Sequence, residues 1–409
     1  MKNLVKKWND TSLILRIAVG LVIGAVLGVV FPKLTVLALL GNIFVGALKA
    51  IAPILVFVLV MSSLAQAGKG IGKKFRTVII LYMLSTLLAA VIAVLGSFMF
   101  PVQLKLTGVE AAGQTAPTGI GEVLEGLLNN MVSNPVSALM NANYVGILCW
   151  SIILGLALKS VASDHTKEAL SDISNAVTQA VRWIISLAPF GIMGLVFSSV
   201  STNGLSIFSD YGKLLLLLVG CMLGVALIVD PLIAGICLHR NPYPLVLRCF
   251  KESGLTAFFT RSSAANIPIN MALCEKLGLD RDMYSVSIPL GATINMDGAA
   301  ITITVMTLAV VHTLGISVDI PTAIFLSVLA TLGACGASGV AGGSLLLIPM
   351  ACSLFGISND IAMQAVGVGF IVGVVQDSFE TAINSSGDVL FAATAEFRQW
   401  MKEGREVKF

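Results

Sequence analysis

Long apolar runs dominate this chain, and each approaches or exceeds the roughly 20 residues that a helix needs to cross hydrocarbon. Six such runs cover residues 14–31, 36–64, 77–100, 146–162, 176–199 and 213–238. Only 11% of the 409 residues are charged, whereas a soluble domain has about a quarter. The runs therefore predict an all-α polytopic membrane protein in a lipid bilayer.

The basic residues predict that both termini are cytoplasmic. They cluster at residues 2–7, 69–76, 239–251 and 398–408, and basic loops stay on the cytoplasmic side. Six spans return the chain to that side just before the third cluster. The run 104–137 is predicted to be an external loop. No signal peptide is expected, because no small-residue cleavage site follows the long first run.

Composition excludes other classes of partner and metal site. The formal net charge of +3 is too small to indicate nucleic acid, and no such partner is expected. The seven cysteines include no Cys-x-x-Cys pair, so we interpret them as buried apolar side chains rather than zinc ligands.

After Lys251 the apolar sequence is interrupted three times, at 260–268, 295–298 and 333–343. The arms beside the first and third interruptions are too short to cross, which favours re-entrant hairpins with their tips inside protein or a watery cavity. Dense glycine disfavours a continuous helix at the third. The order hairpin, broken helix, hairpin, polar helix predicts the inverted repeat of a secondary transporter.

The last apolar segment, 369–391, contains three acids, Asp377, Glu380 and Asp388. On a helix, Asp377, Thr381, Asn384 and Asp388 lie on one stripe, with Glu380 on its shoulder. Acids within a membrane span are costly and mark functional sites. We therefore expect this helix to line a site for something charged.

The charges at membrane depth do not balance. The acids are Asp297, Asp377, Glu380 and Asp388, and the only cation is Arg261; Asp230 is left out because it lies toward the cytoplasmic end of its span. A deficit of about three negative charges requires protons or bound cations. Oxygen groups of Asn295, Asp297, Asn384 and Asp388 suit a small hard cation such as sodium. Protonation remains the alternative.

Three other features are weaker. Tyr82, Ser85 and Thr86 indicate only helix packing by their spacing. The tip at Ser262 and Ser263 is able to bind a carboxylate through backbone N–H groups and hydroxyls. The glycine-rich tip 333–343 indicates a flexible lid.

Two non-transport classes also fit intramembrane acids. An intramembrane aspartyl protease needs two carboxylates that share a proton, and Ser385 stands where its Gly387–Asp388 motif would need glycine. It also leaves two hairpins unexplained. An ion channel would show conductance without saturable uptake. A transporter is favoured over both.

Together the motifs resemble those of the dicarboxylate/amino acid:cation symporters, the glutamate-transporter family. The similar segments are Thr-Arg-Ser-Ser-x-x-x-x-Pro at 260–268, Asn-Met-Asp-Gly at 295–298, the glycine-rich tip, and the polar stripe of the last helix. The first and third are most similar to the bacterial serine/threonine:sodium symporter branch. That branch implies a plasma (inner) membrane location.

The resemblance implies eight transmembrane helices plus two re-entrant helical hairpins, assembled as a homotrimer that works as an elevator. The implied parts are scaffold helices 1 and 2 (1–76), transport-domain helix 3 (77–100), an external loop (101–145), scaffold helices 4 and 5 (146–210) and a transport core (211–409). That core would contain helix 6, hairpin 1 (about 243–278), broken helix 7 (about 283–315), hairpin 2 (about 320–356) and helix 8 (about 360–395).

The resemblance also implies a role for each matched residue. The substrate amino group would bind Asp377, and its α-carboxylate would bind Asn384 with Ser262 and Ser263. Arg261, Glu380, Thr381, Ala337 and Ser338 complete the implied substrate site. The co-transported sodium ions would occupy three sites: Gly291 carbonyl, Asn295, Asn384 and Asp388; Tyr82, Ser85, Thr86, Asn295 and Asp297; and Thr293 with carbonyls near Thr331 and Leu332.

Two positions depart from the acidic-substrate members. Those relatives have arginine where this chain has Glu380, and the family has a threonine just past the broken-helix motif where this chain has Ala299. An acid at 380 would repel a second substrate carboxylate, so we expect a small neutral hydroxylated amino acid, serine or threonine. We also expect Glu380 to pair with Arg261. The alternative is proton- or sodium-coupled transport of another neutral or dicarboxylic amino acid. No enzymatic activity is expected.

Overall fold

The computed structural model describes residues 11–66, 72–106, 128–335, 337, 342–405 and 407, and all regular structure within these ranges is helical. Six helices of the described part are long and apolar enough to cross a membrane, or seven if one bent pair counts as a single span. The expected all-α polytopic architecture is confirmed at this level. The count of eight spans, the inverted repeat and the re-entrant path stay predictions.

The helices follow the order expected from the apolar runs. Helix 1 is Leu13–Val30, helix 2 Val36–Gln66, helix 3 Gly72–Met99, helix 4 Tyr144–Val161, helix 5 Asp164–Ser186 with Ala188–Asn203, and helix 6 Ile207–Leu238. Hairpin 1 has arms Tyr243–Thr260 and Ser263–Lys276, helix 7 has halves Arg281–Ile294 and Asp297–Thr313, hairpin 2 has arms Ile320–Ala334 and Ser344–Ser353, and helix 8 is Asn359–Lys402.

Helix 5 contains the predicted span 176–199 but begins earlier, at Asp164, and is bent. Its two parts meet at Leu187 with a bend of 53°. Pro189 follows the bend, and proline removes a backbone N–H and clashes with the preceding turn, which kinks a helix. The first part, Asp164–Ser186, begins directly after Ser163, whose side chain caps it by accepting from Thr166 N–H.

Three further boundaries differ from expectation. The external loop 101–145 is partly helical, because Asn134 caps a short helix, Pro135–Met140, by accepting hydrogen bonds from Val136 and Ser137 N–H. Residues 107–127 of that loop lie outside the described ranges. Helix 8 continues to Lys402, beyond the predicted end near 395. Hairpin 2 ends its second arm at Ser353 rather than near 356.

Helices are interrupted at 261–262 and at 295–296, as the polar interruptions predicted, and Ala334 and Ser344 flank the third interruption, of which residues 336 and 338–341 lie outside the described ranges. Arg261 adopts a left-handed backbone conformation, with φ 52°, and Ser262 caps the second arm of hairpin 1. Asp319 caps hairpin 2 by accepting a 2.8 Å hydrogen bond from Thr322 N–H. The Thr322 hydroxyl and N–H also lower the pKa of Asp319.

The helices form two groups. Helices 1, 2, 4 and 5 pack on one another, and helices 3, 6, 7 and 8 pack with the two hairpins. The first group is closely packed through glycine: a side chain on Gly194 would meet Gly41 N at 2.4 Å. Small residues allow such close helix approach in membranes. Helix 8 is buried on nearly all sides, as expected for the centre of the second group.

Candidate functional site

The break in helix 7 brings Asp297 against helix 3. Asn295 N–H donates to Gly291 O (2.9 Å) and ends the first half. The second half then begins at Asp297, where an acid is favoured by the free N–H groups of a helix N-terminus. Ser85 Oγ lies 2.7 Å from Asp297 Oδ2, and Thr86 Oγ1 lies 3.0 Å from Asp297 Oδ1. Two residues that indicated only packing in the sequence thus contact a buried acid.

A second acid, Asp388, lies beside the same break. Asn295 Nδ2 donates to Asp388 Oδ1 (3.2 Å), while Tyr82 Oη donates to the Asp388 carbonyl (2.9 Å). The first half of helix 7 approaches so closely that a side chain on Gly291 would meet Asp388 Oδ1 at 2.7 Å. The four groups predicted as cation ligands on Gly291, Asn295, Asp388 and Tyr82 are therefore neighbours.

Asn384 occupies the turn of helix 8 before Asp388. Its Oδ1 accepts from Gly298 N–H at 2.8 Å, and its Nδ2 faces the sulfur of Met296 at 3.3 Å. A thioether is a weak acceptor, so the amide N–H groups of Asn384 are available to a stronger acceptor. This fits the predicted role in binding a substrate carboxylate.

Asp377 joins the two hairpin tips. Arg261 Nε from hairpin 1 donates to Asp377 Oδ2 (2.7 Å), and Gly342 N–H from hairpin 2 donates to Asp377 Oδ1 (3.2 Å). Both ionic side chains are largely buried, at 11% and 3% exposure. Thr381 Oγ1 donates to the Asp377 carbonyl (2.7 Å) within helix 8.

The expected ion pair between Glu380 and Arg261 is wrong. Arg261 pairs with Asp377, three residues before Glu380. Glu380 Oε2 accepts hydrogen bonds from neutral groups instead: Thr302 Oγ1 at 2.8 Å, Ser344 Oγ at 2.9 Å and Gln376 Nε2 at 2.5 Å. Neutral donors from helix 7, hairpin 2 and helix 8 replace the cation.

The remaining predicted substrate residues lie at the hairpin tips. Ser263 is 2% exposed, and Ser262 accepts from Ala265 N–H at 3.3 Å. Ala337 is buried. Ser338 lies outside the described residues. The structure thus brings the first tip near Asp377 through Arg261, while the role of each tip residue in binding stays a prediction.

The third predicted cation site is less well assembled. Thr293 Oγ1 donates to Leu290 O (2.7 Å) and Thr331 Oγ1 donates to Ser327 O (2.7 Å), each within its own helix. Leu332 is 39% exposed. Cys335 Sγ, one turn after Thr331, lies 3.8 Å from the Ile294 carbonyl. Hairpin 2 therefore reaches the end of the first half of helix 7, without closing a ligand cage in this conformation.

Sequence reasoning missed several polar residues that join this network. Asp230 was placed near the cytoplasmic end of helix 6, yet it is 3% exposed and lies 2.9 Å from Ser85 Oγ. An acid inside the apolar run 213–238 was itself a signal of function. Gln376, Thr302 and Ser344 gave no such signal, because neutral polar residues are common in membrane helices.

Acceptor oxygens outnumber donors around the break in helix 7. Asn295 Oδ1 and Asp388 Oδ2 are buried without a hydrogen-bond partner. Buried acceptors left without a donor or cation are costly. None of the acids at this break forms an ion pair within the described part of the chain. The arrangement therefore suits a small cation held by oxygen, as the charge deficit in the sequence predicted.

A cavity of about 510 Å³ lies beside this network, between helices 2 and 5 and the first half of helix 7. Its lining includes Thr293 and Cys335, and Ala264 from the start of the second arm of hairpin 1. Asp377, Glu380 and Asn384 do not line it. In this conformation the cavity thus approaches the site from the hairpin tips without opening onto its acids.

Comparisons with known proteins agree with the geometry. A sequence model of the sodium:dicarboxylate symporter family matches residues 13–396. A protein of Bifidobacterium adolescentis named serine/threonine transporter SstT is 62% identical over 400 residues, which cover 98% of this chain and 93% of that protein. Proteins of the same name from Streptococcus thermophilus and Streptococcus agalactiae are 59% identical (98% and 100% covered) and 60% identical (97% and 98% covered). The comparisons confirm the resemblance drawn from the motifs and indicate a transporter rather than an enzyme.

Proposed function

Because this chain belongs to the sodium:dicarboxylate symporter family, we propose that it imports serine and threonine together with sodium ions. The observation that carries this proposal is the group of buried acids around the broken helix, whose oxygens exceed the donors available to them. Sodium moving with the substrate would balance these charges. The names of the relatives from Bifidobacterium and Streptococcus support serine and threonine as substrates.

Each part of the amino acid would meet a complementary group. The ammonium would bind Asp377, replacing the charge that Arg261 supplies to that carboxylate in this conformation. The α-carboxylate would accept from the amide of Asn384 and from the tip at Ser262 and Ser263. Thr381, Ala337 and Ser338 would complete the enclosure.

Glu380 supports a neutral substrate. It is 6% exposed, and its Oε2 accepts only from uncharged donors. A second carboxylate on the substrate would find a buried acid instead of a cation, and like charges in a buried site oppose binding. A small hydroxylated side chain carries no such charge.

The sodium ions are cargo in this proposal. One would bind Asp388, Asn295, Asn384 and the Gly291 carbonyl, and a second would bind Asp297 with Tyr82, Ser85, Thr86 and Asn295. A third sodium ion would bind Thr293 and the carbonyls near Thr331 and Leu332, after a movement of hairpin 2 has completed that site. Hydroxyl, amide and carboxylate oxygens are the hard ligands that such ions need.

The movement would be an elevator in a homotrimer of the inner membrane, with both termini cytoplasmic. Helices 1, 2, 4 and 5 would form the static scaffold, and helices 3, 6, 7 and 8 with both hairpins would move as one body. The grouping of helix contacts supports this division, as does the close glycine packing inside the proposed scaffold.

Uptake into proteoliposomes tests the proposal. We expect saturable uptake of labelled serine and threonine driven by a sodium gradient, with little uptake of aspartate. Empty liposomes and a choline gradient are the controls. Uptake driven equally well by a proton gradient in choline, or preferred uptake of aspartate, would support the alternative reading. Serine uptake that depends on neither the sodium gradient nor the proton gradient would contradict symport.

A further inference from the structure

Asp230 is a buried acid that none of the predicted binding sites includes. It follows a π-helical segment, Val225–Val229, and precedes Pro231. Proline removes the N–H that would bond the Leu227 carbonyl, and the Tyr243 hydroxyl donates to that carbonyl instead, at 3.0 Å. The carbonyl left without a partner in helix 6 is thus hydrogen-bonded by a residue of hairpin 1. Single π-turns of this kind recur at functional sites.

The carboxylate of Asp230 is one hydroxyl away from Asp297. Ser85 Oγ lies 2.9 Å from Asp230 Oδ1 and 2.7 Å from Asp297 Oδ2. A serine hydroxyl has a single hydrogen, so it donates to only one of these acids at a time. Thr86 Oγ1, which accepts from Met296 N–H at 3.2 Å, is the other hydroxyl beside Asp297. Two buried carboxylates therefore share very few donors.

An independent observation points to a cation at this place. The amide oxygen of Asn295 is fully buried and has no hydrogen-bond partner. A side chain on Gly387 would meet Asn295 Nδ2 at 2.7 Å and Asp297 Oδ2 at 3.8 Å, so both polar groups lie on the same side of helix 8. Neither Asp230 nor Asp297 forms an ion pair in the described ranges. The balancing charge must come from outside the described chain.

We propose that Asp230 is a positioning residue for the sodium ion bound at Asp297. It accepts the hydrogen of Ser85, which turns the lone pairs of Ser85 Oγ toward the ion, and it places a second negative charge behind that ligand. This inference rests on the proposed sodium coupling, and it adds a residue of helix 6 to a site otherwise built from helices 3 and 7. The ion it serves is a small monovalent cation.

Sodium titration of serine uptake in proteoliposomes tests the role of Asp230. Asp230→Asn keeps the size and an acceptor oxygen but removes the charge, so the sodium concentration for half-maximal uptake should rise roughly tenfold. The serine concentration for half-maximal uptake, measured at saturating sodium, should stay within about twofold, because the hydrogen bond of Asp230 runs to Ser85 and not to a residue proposed to bind the substrate. Asp230→Glu keeps the charge, so its sodium concentration for half-maximal uptake should be closer to the wild-type value than that of Asp230→Asn.

If Asp230 has a purely structural role, the sodium dependence of Asp230→Asn should be closer to the wild type than that of Asp230→Glu, because asparagine matches the shape of aspartate and glutamate does not. That order, or unchanged sodium dependence in Asp230→Asn, would overturn the inference. Thr304→Val is the control, because it removes a buried hydroxyl of helix 7 that lacks a hydrogen-bond partner. If Asp230→Asn is not recovered folded, Asp230→Glu and Asp230→Gln form the same comparison at equal length. Loss of sodium dependence in the wild type would instead refute the proposed function.

Discussion

Individual residues of helix 8 contact both hairpins and helix 7. Asp377 accepts from both hairpin tips, Glu380 from helix 7 and hairpin 2, and Asn384 from Gly298 of helix 7. A side chain on helix 8 that moves with substrate therefore changes contacts on several elements at once. Such shared contacts make the effects of substitutions here non-additive.

Glu380 provides the sharpest residue-level prediction. Glu380→Arg places a cation among the neutral donors of Thr302, Ser344 and Gln376 and beside the Arg261–Asp377 pair. Like-charge contact in a buried site costs several kcal/mol, so serine uptake should fall about tenfold or more. Competition by unlabelled aspartate should rise relative to the wild type. Glu380→Gln keeps the shape without charge and is the control for packing. Serine uptake that survives Glu380→Arg unchanged would contradict the argument on selectivity.

Gly291 gives a second prediction at this scale. In Gly291→Ala, the new methyl group would lie 2.7 Å from Asp388 Oδ1 and 2.9 Å from Tyr82 Oη, closer than packing allows. Separation of these groups should raise the sodium concentration for half-maximal serine uptake roughly tenfold. In Gly220→Ala on helix 6 the added methyl group meets nothing within 4 Å, so the sodium dependence of serine uptake should match that of the wild type. Equal behaviour of the two variants would argue against a cation beside Gly291.

At the scale of elements, an amide cluster holds hairpin 1 against helix 8. Ser385 Oγ is contacted by Asn266 Nδ2 (2.7 Å), Asn270 Nδ2 (3.0 Å) and Ser253 Oγ (3.3 Å). Asn270 Nδ2 also donates to the Ser385 carbonyl (3.2 Å). The cluster joins both arms of the hairpin to one turn of helix 8. It thereby fixes the height of the tip at Ser262 relative to Asp377.

Adjacent serines allow a matched test of this cluster. Ser385→Ala removes the hydroxyl acceptor that Asn266 and Asn270 share; Asn266 Nδ2 keeps Ser253 Oγ and Asn270 Oδ1 as acceptors, but one N–H of Asn270 loses its partner. A buried donor without an acceptor costs about 1–3 kcal/mol, so the melting temperature of the purified protein should fall. Ser386→Ala removes a hydroxyl that donates only within helix 8, to Ala382 O and Ile383 O, and should melt close to the wild type. Thermal unfolding in detergent, followed by intrinsic fluorescence, measures both. Similar melting temperatures would show that the cluster does not hold the hairpin.

The order of these elements was predictable from sequence, because span length and polar interruptions are local properties. The break at Asn295 and the hairpin tip at Arg261 both lie where predicted. The partner of Arg261 was not predictable, since Asp377 and Glu380 are less than one turn apart and only the path of hairpin 1 decides between them. Asp230 was misjudged for a similar reason: its depth along helix 6 is visible in sequence, but its direction toward Ser85 is not.

At the scale of the whole molecule, few polar contacts join the two groups of helices within the described ranges. Phe44 of helix 2 packs edge-on against Phe370 of helix 8, with ring centroids 5.2 Å apart. Lys49 of helix 2 forms an ion pair with Asp360 at the start of helix 8. Both charged side chains are well exposed, and exposed ion pairs contribute at most about 1 kcal/mol. This contact is therefore weak enough to break in each cycle if the second group moves as one body.

The Lys49–Asp360 contact gives a direct test of the elevator. With the native cysteines replaced, Lys49→Cys with Asp360→Cys should react with a short bismaleimide, and the cross-link should abolish sodium-driven serine uptake by holding helix 8 beside helix 2. Each single cysteine variant, treated identically, should keep its uptake, which separates cross-linking from chemical modification. Binding of serine, measured by sodium-dependent thermal shift, should survive the cross-link because the site lies wholly within the second group. Uptake that continues after complete cross-linking would mean that transport does not require these two groups to slide apart, and a local gate at hairpin 2 would then have to suffice.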